Sequence, residues 1–374
     1  MLALRGRFWR ADQRLVDAPA DRTDWPDVVC VIPARNEAPT IGRTVASLTD
    51  QDYPAGISVI VVDDNSDDGT ADAAGQTAKH PDRLSVITGK PLQEGWSGKL
   101  WAVHQGLEAA RTISPDAPFV LLTDADITHD PESLRRLVAK AESDGLDLVS
   151  LMVRLRCESL WEKLLIPAFI FFFQKLYPFP WVNDANNTMA AAAGGCMLVR
   201  RSALDRAGGV DAIRHRLIDD CALAGQLKAN GPIWLGLSTR VVSERRYEHL
   251  SEIWDMVART AFEQLGNSGL ALIGTVVAML VTYVVPPLAG LGFLGGGPVM
   301  AAGLATWLGL MGLAFYPTLR LYGLPLAWGV LLPLAAFLYT LMTISSALRY
   351  WQGRGGAWKG RHYKTPSPSS SSEG

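Results

Sequence analysis

Two carboxylates one residue apart, Asp124 and Asp126, follow an apolar run from Phe119 to Leu122 in the stretch PFVLLTDADITHD. Like charges that close repel, so the pair calls for a cation or for a solvated loop. Carboxylates at i and i+2 beyond a strand can share one hard divalent ion whose remaining shell comes from phosphate and water. A second apolar run, SVIVVDDNSDDGT over 58–70, also ends in acids, Asp63 and Asp64. There a carboxylate could accept from a ring N–H of a nucleobase, or the acids could form a polar turn leading into a helix cap. A third pair, Asp219 and Asp220 in LIDDCALAGQLK, precedes helical spacing at Leu223 and Leu227. Acids in a first helical turn suit the helix dipole; the chemical alternative is a general base that deprotonates an acceptor hydroxyl. Lys99, in EGWSGKLWA at a helix start, could meet a phosphate or be a surface lysine.

The elements that must position these residues alternate. VVCVIPARNE (28–37) is a β-branched run ending at Pro33, and helical spacing follows from Pro39. A strand at 58–64, a helix from Thr70, a strand at 84–90, a helix over 98–113 and a strand at 118–126 come next. PESLRRLVAKAESDG then opens a helix with proline in its first turn, and DLVSLMVRL resumes strand character. The pattern predicts an α/β fold, a mostly parallel sheet with helices on both faces. Ligands of such sheets sit at the carboxyl ends of the strands, which gathers Asn36, Asp63, Asp64, Asp124 and Asp126 at one edge.

At 374 residues the chain can hold one large domain or two ordinary ones. A formal charge of −2 and a pI near 6.3 give no sign of a nucleic-acid partner. Charge is unevenly spread, however: none falls from Gln264 to Leu319, nor from Leu321 to Leu348 after Arg320. Each run exceeds the roughly 20 apolar residues that cross a bilayer. Spans are expected near 270–290, 298–318 and 325–347, two to three in number. The N-terminus is basic but has no apolar core long enough for a signal peptide. Cys30, Cys157, Cys196 and Cys221 show neither CxxC nor metal spacing, so free thiols in a reducing compartment are expected. The expected organisation is an N-terminal segment (1–25), a charged, mixed domain (26–265), a membrane region (266–349) and a basic, then disordered tail (350–374). Within the domain, LLIPAFIFFFQKLYPFPW (164–181) holds Lys175 and two late prolines. It reads as a helix in the membrane interface, about 160–181, with an ordinary buried helix as the alternative. A cytosolic domain followed by three spans puts Arg349, Arg354, Lys359, Arg361 and Lys364 outside, against the positive-inside rule. Either one segment is re-entrant, or the third apolar run lies on the surface.

PARNE, VVDDNSDDGT, GKLWAVHQGL, TDAD, GGCMLVRRSALDRAGG and LIDDCAL occur in the order found in inverting family 2 glycosyltransferases, which the chain resembles over about residues 26–265. The resemblance implies a GT-A nucleotide-sugar fold. GWSGKLWAVHQG, IPAFIFFFQKLYPFPWVNDANN and the terminal spans are similar to the hopanoid-biosynthesis-associated glycosyltransferases of bacteria and, more distantly, to ceramide glucosyltransferases. By resemblance, Asp64, with Asp63 as second choice, binds the base, uracil in most relatives. Asp126, assisted by Asp124, holds Mn2+ or Mg2+ on the donor diphosphate. Pro33, Arg35 and Glu37 line the nucleotide pocket, and Lys99 lies near it. Asp220 is the catalytic base, preceded by Asp219 where many relatives have Glu.

One departure concerns the QxxRW-type sequence of polysaccharide- and ceramide-glucoside-forming relatives. Here IWDMVARTAFEQLG (253–266) has Arg259 for the arginine, but Met256 replaces Gln or Arg and Thr260 replaces Trp. Losing that stacking surface speaks against a processive polysaccharide synthase, while Arg259 would still balance phosphate charge. The implied protein is a transferase of the bacterial inner membrane, taking a nucleotide-sugar donor and a lipid acceptor, with hopanoid metabolism as one setting. A polyprenyl-phosphate acceptor and a non-catalytic nucleotide-binding membrane protein are the alternatives. A nucleotidyltransferase would want a glycine-rich phosphate loop where ARNEAPT stands.

Overall fold

The run Val28–Ala34 (β1) is buried at every position. It lies inside a sheet covered on both faces, which is why it reads as continuous apolar sequence and not as an alternation. The computed structural model describes residues 4–18, 22–354, 357–358 and 361–362. On one side β1 pairs parallel with β2 (Ile57–Asp63), which pairs parallel with β3 (Leu84–Thr88); on the other it pairs parallel with β4 (Phe119–Thr123). Beyond β4 the sheet is mixed. β7 (Cys196–Arg200) runs antiparallel to both β4 and β6 (Leu148–Arg154). β8 (Ile233–Ser243) is parallel to β6 and carries the two-residue β5 (Ile127–Thr128) antiparallel on its far side. The order across all eight strands is β3-β2-β1-β4-β7-β6-β8-β5.

The helices lie where their spacing predicts. α1 (Ala38–Thr49) buries Ile41, Val45 and Leu48 on one face, and α4 (Ser133–Ser143) buries Leu134, Leu137, Val138 and Ala141. α2 (Thr70–Thr77) follows β2. α3 (Gly98–Ile113) starts at Ser97, whose hydroxyl accepts from the Leu100 N–H at 3.3 Å. Midway along α3, a Cβ on Gly106 would intrude on Val31 Cγ1 and meet Val62 Cγ2 at 3.0 Å, so glycine there lets the helix sit directly on β1 and β2.

α5 (Leu160–Leu176) opens with a capping box of Ser159 and Glu162. Phe171 on this helix packs against Phe8 of the N-terminal segment and against Phe315, each with ring centroids 5.4 Å apart. The helix buries Leu164 to Ala168, Ile170 and Phe171, and leaves Phe169, Phe172 and Phe173 partly exposed. α6 (Phe179–Val182), α7 (Arg201–Arg206) and α8 (Asp219–Lys228) complete this part.

The chain divides into two compact units, Met1–Glu248 with Leu313–Gly329, and His249–Gly312 with Val330–Gly374. After α9 (Leu250–Ala258), α10 (Gly269–Met279) continues through a π turn into α11 (Val285–Gly290). α12 (Pro298–Leu304) continues likewise into α13 (Gly312–Leu321), and a 3-10 turn leads into α14 (Leu332–Trp351). The three resulting helices, Gly269–Gly290, Pro298–Leu321 and Leu326–Trp351, are long and apolar enough to cross a bilayer, at the positions expected. In the second unit a Cβ on Gly303 would intrude on the Gly290 backbone, so α11 and α12 touch through glycine. The tail after Lys364, expected to be disordered, lies outside the described residues.

Candidate active site

The turns after β1 and β2 are laced together. Asn36 and Asn65 both take left-handed backbone, with φ of 50° and 54°, which asparagine tolerates better than most residues. The Asn36 N–H donates to Ser66 Oγ at 3.0 Å, the Asp67 N–H to Asn36 Oδ1 at 3.1 Å, and the Glu37 N–H to Thr70 Oγ1 at 2.9 Å. Asp63 accepts from the N–H and the hydroxyl of Ser66. Asp64 is 0% exposed. The Arg35 guanidinium lies 3.7 Å from its Oδ2 and donates to the carbonyls of Asp64 and Asn65.

At the end of β4 a second cluster forms. Lys99, from the first turn of α3, places its ammonium 3.0 Å from Asp124 Oδ1 and 3.1 Å from Asp219 Oδ2. Asp219 and Asp220 are the first two residues of α8. Asp220 is oriented by two backbone donors, the Gly194 N–H on Oδ2 at 2.9 Å and the Cys221 N–H on Oδ1 at 2.7 Å. A Cβ on Gly194 would lie 3.3 Å from Lys99 Nζ and 3.5 Å from Asp220 Oδ2, so that residue is also held small by the cluster. Pro33, Lys99, Thr123, Asp124, Gly194, Asp219 and Asp220 line one cleft, floored by Leu100, Val103, Leu122 and Met197.

Charge in this cleft is unevenly compensated. Burial pushes the Asp220 carboxyl up to about 6; Asp219 adds to that, while Lys99 and the two backbone donors oppose it. The Asp124 carboxyl is also raised, by burial first, with Lys99 opposing and Asp126 reinforcing. Burial works against the Lys99 ammonium, yet Asp124 and Asp219 outweigh it and hold the amine protonated well above its usual range.

Asp126 faces a different cation. Its Oδ2 accepts from Arg245 Nε at 3.0 Å and from Ser243 Oγ at 3.2 Å, and Arg245 Nη2 lies 2.9 Å from Glu37 Oε1. Arg245 was not among the residues singled out from the sequence. SERRYEH carries no local motif, and only the pairing of β5 with β8 brings it beside TDAD. Five carboxylates (Glu37, Asp124, Asp126, Asp219 and Asp220) thus share two cations, Lys99 and Arg245. The carboxylates outnumber these cations, and a diphosphate would add further negative charge.

Asp124 and Asp126 offer hard carboxylate oxygens of the kind Mg2+ and Mn2+ prefer. Among the described residues no group of three or more His, Cys, Asp and Glu forms a self-sufficient metal cage. A pair of carboxylates on one turn fits an ion that completes its shell from ligand and water. Arg259, the remaining candidate, is the C-cap of α9 in the second unit.

Comparison with known proteins follows this geometry. Residues 29–208 match glycosyl transferase family 2, and residues 119–351 match glycosyl transferase family group 2. The mannosyltransferase PcManGT from Pyrobaculum calidifontis, solved in complex with GDP-Man and Mn2+, superposes with a TM-score of 0.55 at 20% identity, over 92% of this chain and 94% of its own. That likeness is one of fold. Glycosyltransferase AglE of Haloferax volcanii is 30% identical over 125 residues, 33% of this chain and 38% of its own. Beta-monoglucosyldiacylglycerol synthase of Trichormus variabilis is 27% identical over 207 residues, 54% of this chain and 41% of its own. The chain therefore spans less than half the length of these curated relatives.

Proposed function

Because the chain belongs to glycosyl transferase family group 2, we propose that it moves a sugar from a nucleotide sugar to the hydroxyl of a membrane lipid, inverting the anomeric carbon. It is a glycosyltransferase with a GT-A fold. The observation that carries the mechanism is the convergence of Lys99, Asp124, Asp219 and Asp220 in one cleft.

In this reading Asp220 takes the proton of the acceptor hydroxyl as its oxygen bonds to the anomeric carbon. The bond from that carbon to the diphosphate oxygen breaks, and its electron pair leaves with the nucleoside diphosphate. The backbone N–H groups of Gly194 and Cys221 aim the carboxylate. Lys99 keeps Asp124 and Asp219 together and offsets part of the charge that the donor brings. A Mn2+ or Mg2+ ion held by Asp126 and Asp124 would supply Lewis-acid neutralisation of the leaving group. The turn of Arg35, Asp63 and Asp64 takes the base, for which a UDP-sugar is our reading.

Two observations support a lipid acceptor. Three helices are apolar enough to place the enzyme in a bilayer, and one relative is named for making a glucosyldiacylglycerol. Within that class, the aromatic stretch around α5 and the GWSGKLWAVHQG helix favour a hopanoid hydroxyl, at the cytosolic face of a bacterial inner membrane. Membranes carrying the protein, incubated with a panel of radiolabelled nucleotide sugars and extracted for lipid, should yield one labelled lipid. Asp126→Ala should abolish it. No labelled lipid from any donor, or label that survives Asp126→Ala, would overturn the proposal; label on polyprenyl phosphate would overturn the hopanoid assignment.

A further inference from the structure

We infer that Arg245 is a resident counter-cation of the Asp126 subsite, occupying that carboxylate until a divalent ion arrives and keeping the ion's affinity low while no nucleotide is bound. Its placement is built into the sheet. The register Ile127↔Ser243 sets the residue before β5 beside those that follow β8, and the Glu244 N–H donates to the Asp126 carbonyl at 2.8 Å. Ser243 and Arg245 then close on one oxygen of Asp126, at 3.2 and 3.0 Å. The next acid along, Glu244, is taken by Arg43 at 3.2 Å and by Thr128 at 3.1 Å, so it does not draw Arg245 away. Arg245 is left to bridge Asp126 and Glu37.

A divalent ion on Asp126 would meet the guanidinium at short range, where like charges repel strongly even in a polar protein environment. The Arg245 side chain is 39% exposed, so it can swing away without unpacking a core. Once displaced, it presents a planar fork of donors suited to phosphate. The ion and a diphosphate would then bind with positive coupling, each favouring the state in which Arg245 has left Asp126. This second half rests on the nucleotide-sugar reading; the competition at Asp126 rests only on the divalent ion proposed there.

The test uses the purified full chain and reads free Mn2+ by electron paramagnetic resonance, without nucleotide and with UDP or GDP. Wild type should bind Mn2+ weakly alone and about tenfold or more tightly with the nucleotide. Arg245→Gln should bind Mn2+ alone about tenfold more tightly than wild type and gain less from the nucleotide. Arg245→Lys, which keeps the charge but cannot bridge both carboxylates, should fall between. The gain counts where the variant unfolds at the wild-type temperature, since a misfolded chain would also offer carboxylates to Mn2+. Unchanged or weakened Mn2+ binding in both variants overturns the counter-cation role. A wild type whose Mn2+ affinity ignores both nucleotides, with Arg245→Gln still tighter, overturns the coupling and the nucleotide reading but leaves the competition standing.

Discussion

In the proposed reaction Asp220 must be ionised when the acceptor arrives, although its surroundings favour the neutral acid. Its carboxyl sits at about 6, by burial and then by Asp219. In the free enzyme kcat/KM should therefore rise with pH through about 6 and level off above it. The same shift has a structural cost. The folded-state value lies above the usual 3.8, so this group's contribution is fully favourable below pH 3.8 and is lost as pH rises through about 6. Lys99 pulls the Asp220 carboxyl down, so Lys99→Met should move the acid limb of the pH–rate profile to higher pH as well as lowering the rate. A limb that stays in place would show that the ammonium does not act on the base. Asp220→Asn should lower kcat by roughly 10²–10⁴, the usual size of a general-base contribution, and leave nucleoside-diphosphate binding intact. The acids of this site were visible in the sequence because each ends an apolar run or opens a helix. Their counter-charges were less so. Lys99 drew notice only for standing at a helix start, and Arg245 lies well over a hundred residues from the carboxylate it neutralises.

Elements divide in the same way between local and non-local causes. The bounds of α3 were readable to the residue, since Gly98–Ile113 has a serine cap before it and unbroken helical spacing within. β5 was not readable: two residues carry no periodicity, and its partner strand comes from the far side of the domain. The antiparallel course of β7 was hidden for a similar reason, because a strand's direction is set by the connection that delivers it and not by its own residues. α3 is also where packing reaches the chemistry, since it carries Lys99 at one end and Gly106 against the sheet in the middle. Gly106→Ala would press a methyl group onto Val31 and Val62. Overpacking of this kind typically costs about 1–3 kcal/mol. The variant should melt at lower temperature and lose activity, although no reacting group has changed. Gly75→Ala on α2, where a Cβ meets nothing within 4 Å, should be neutral or slightly stabilising and serves as the control. If Gly106→Ala melts no lower than wild type, the close seating of α3 on the sheet is not what fixes Lys99.

At the scale of the whole molecule, run length announced three helices of crossing length but could not say which way each runs. Three complete crossings in series would put the beginning of the first and the end of the third on opposite faces of the bilayer. The second unit is packed otherwise. Near the end of α14, Ser345 Oγ accepts from Trp254 Nε1 at 3.1 Å, Ser346 Oγ accepts from the Phe262 N–H at 3.0 Å, and Arg349 pairs with Asp255 at 2.7 Å. Tyr350 and Trp351 pack on the Phe262 ring, with centroids 5.4 and 5.5 Å away, and Ala347 joins Leu272 and Phe262 in one buried cluster. The last turns of α14 therefore lie beside α9 and the first turns of α10, and the apolar region ends on the side where it begins. Were these helices set in a bilayer, an end on the starting side would make the number of complete crossings even, with one segment re-entrant or lying on the surface. Arg349, paired with Asp255, would then lie on the side of α9, the side that the positive-inside rule would make cytosolic. With the partly buried Cys157 and Cys221 replaced by Ser, cysteines introduced at Ser251 and Gln352 should react with a membrane-impermeant maleimide from the same side, only after the cells are opened. Labelling of Gln352→Cys in intact cells, with Ser251→Cys protected, would mean three full crossings and would break the packing of α14 on α9 described above.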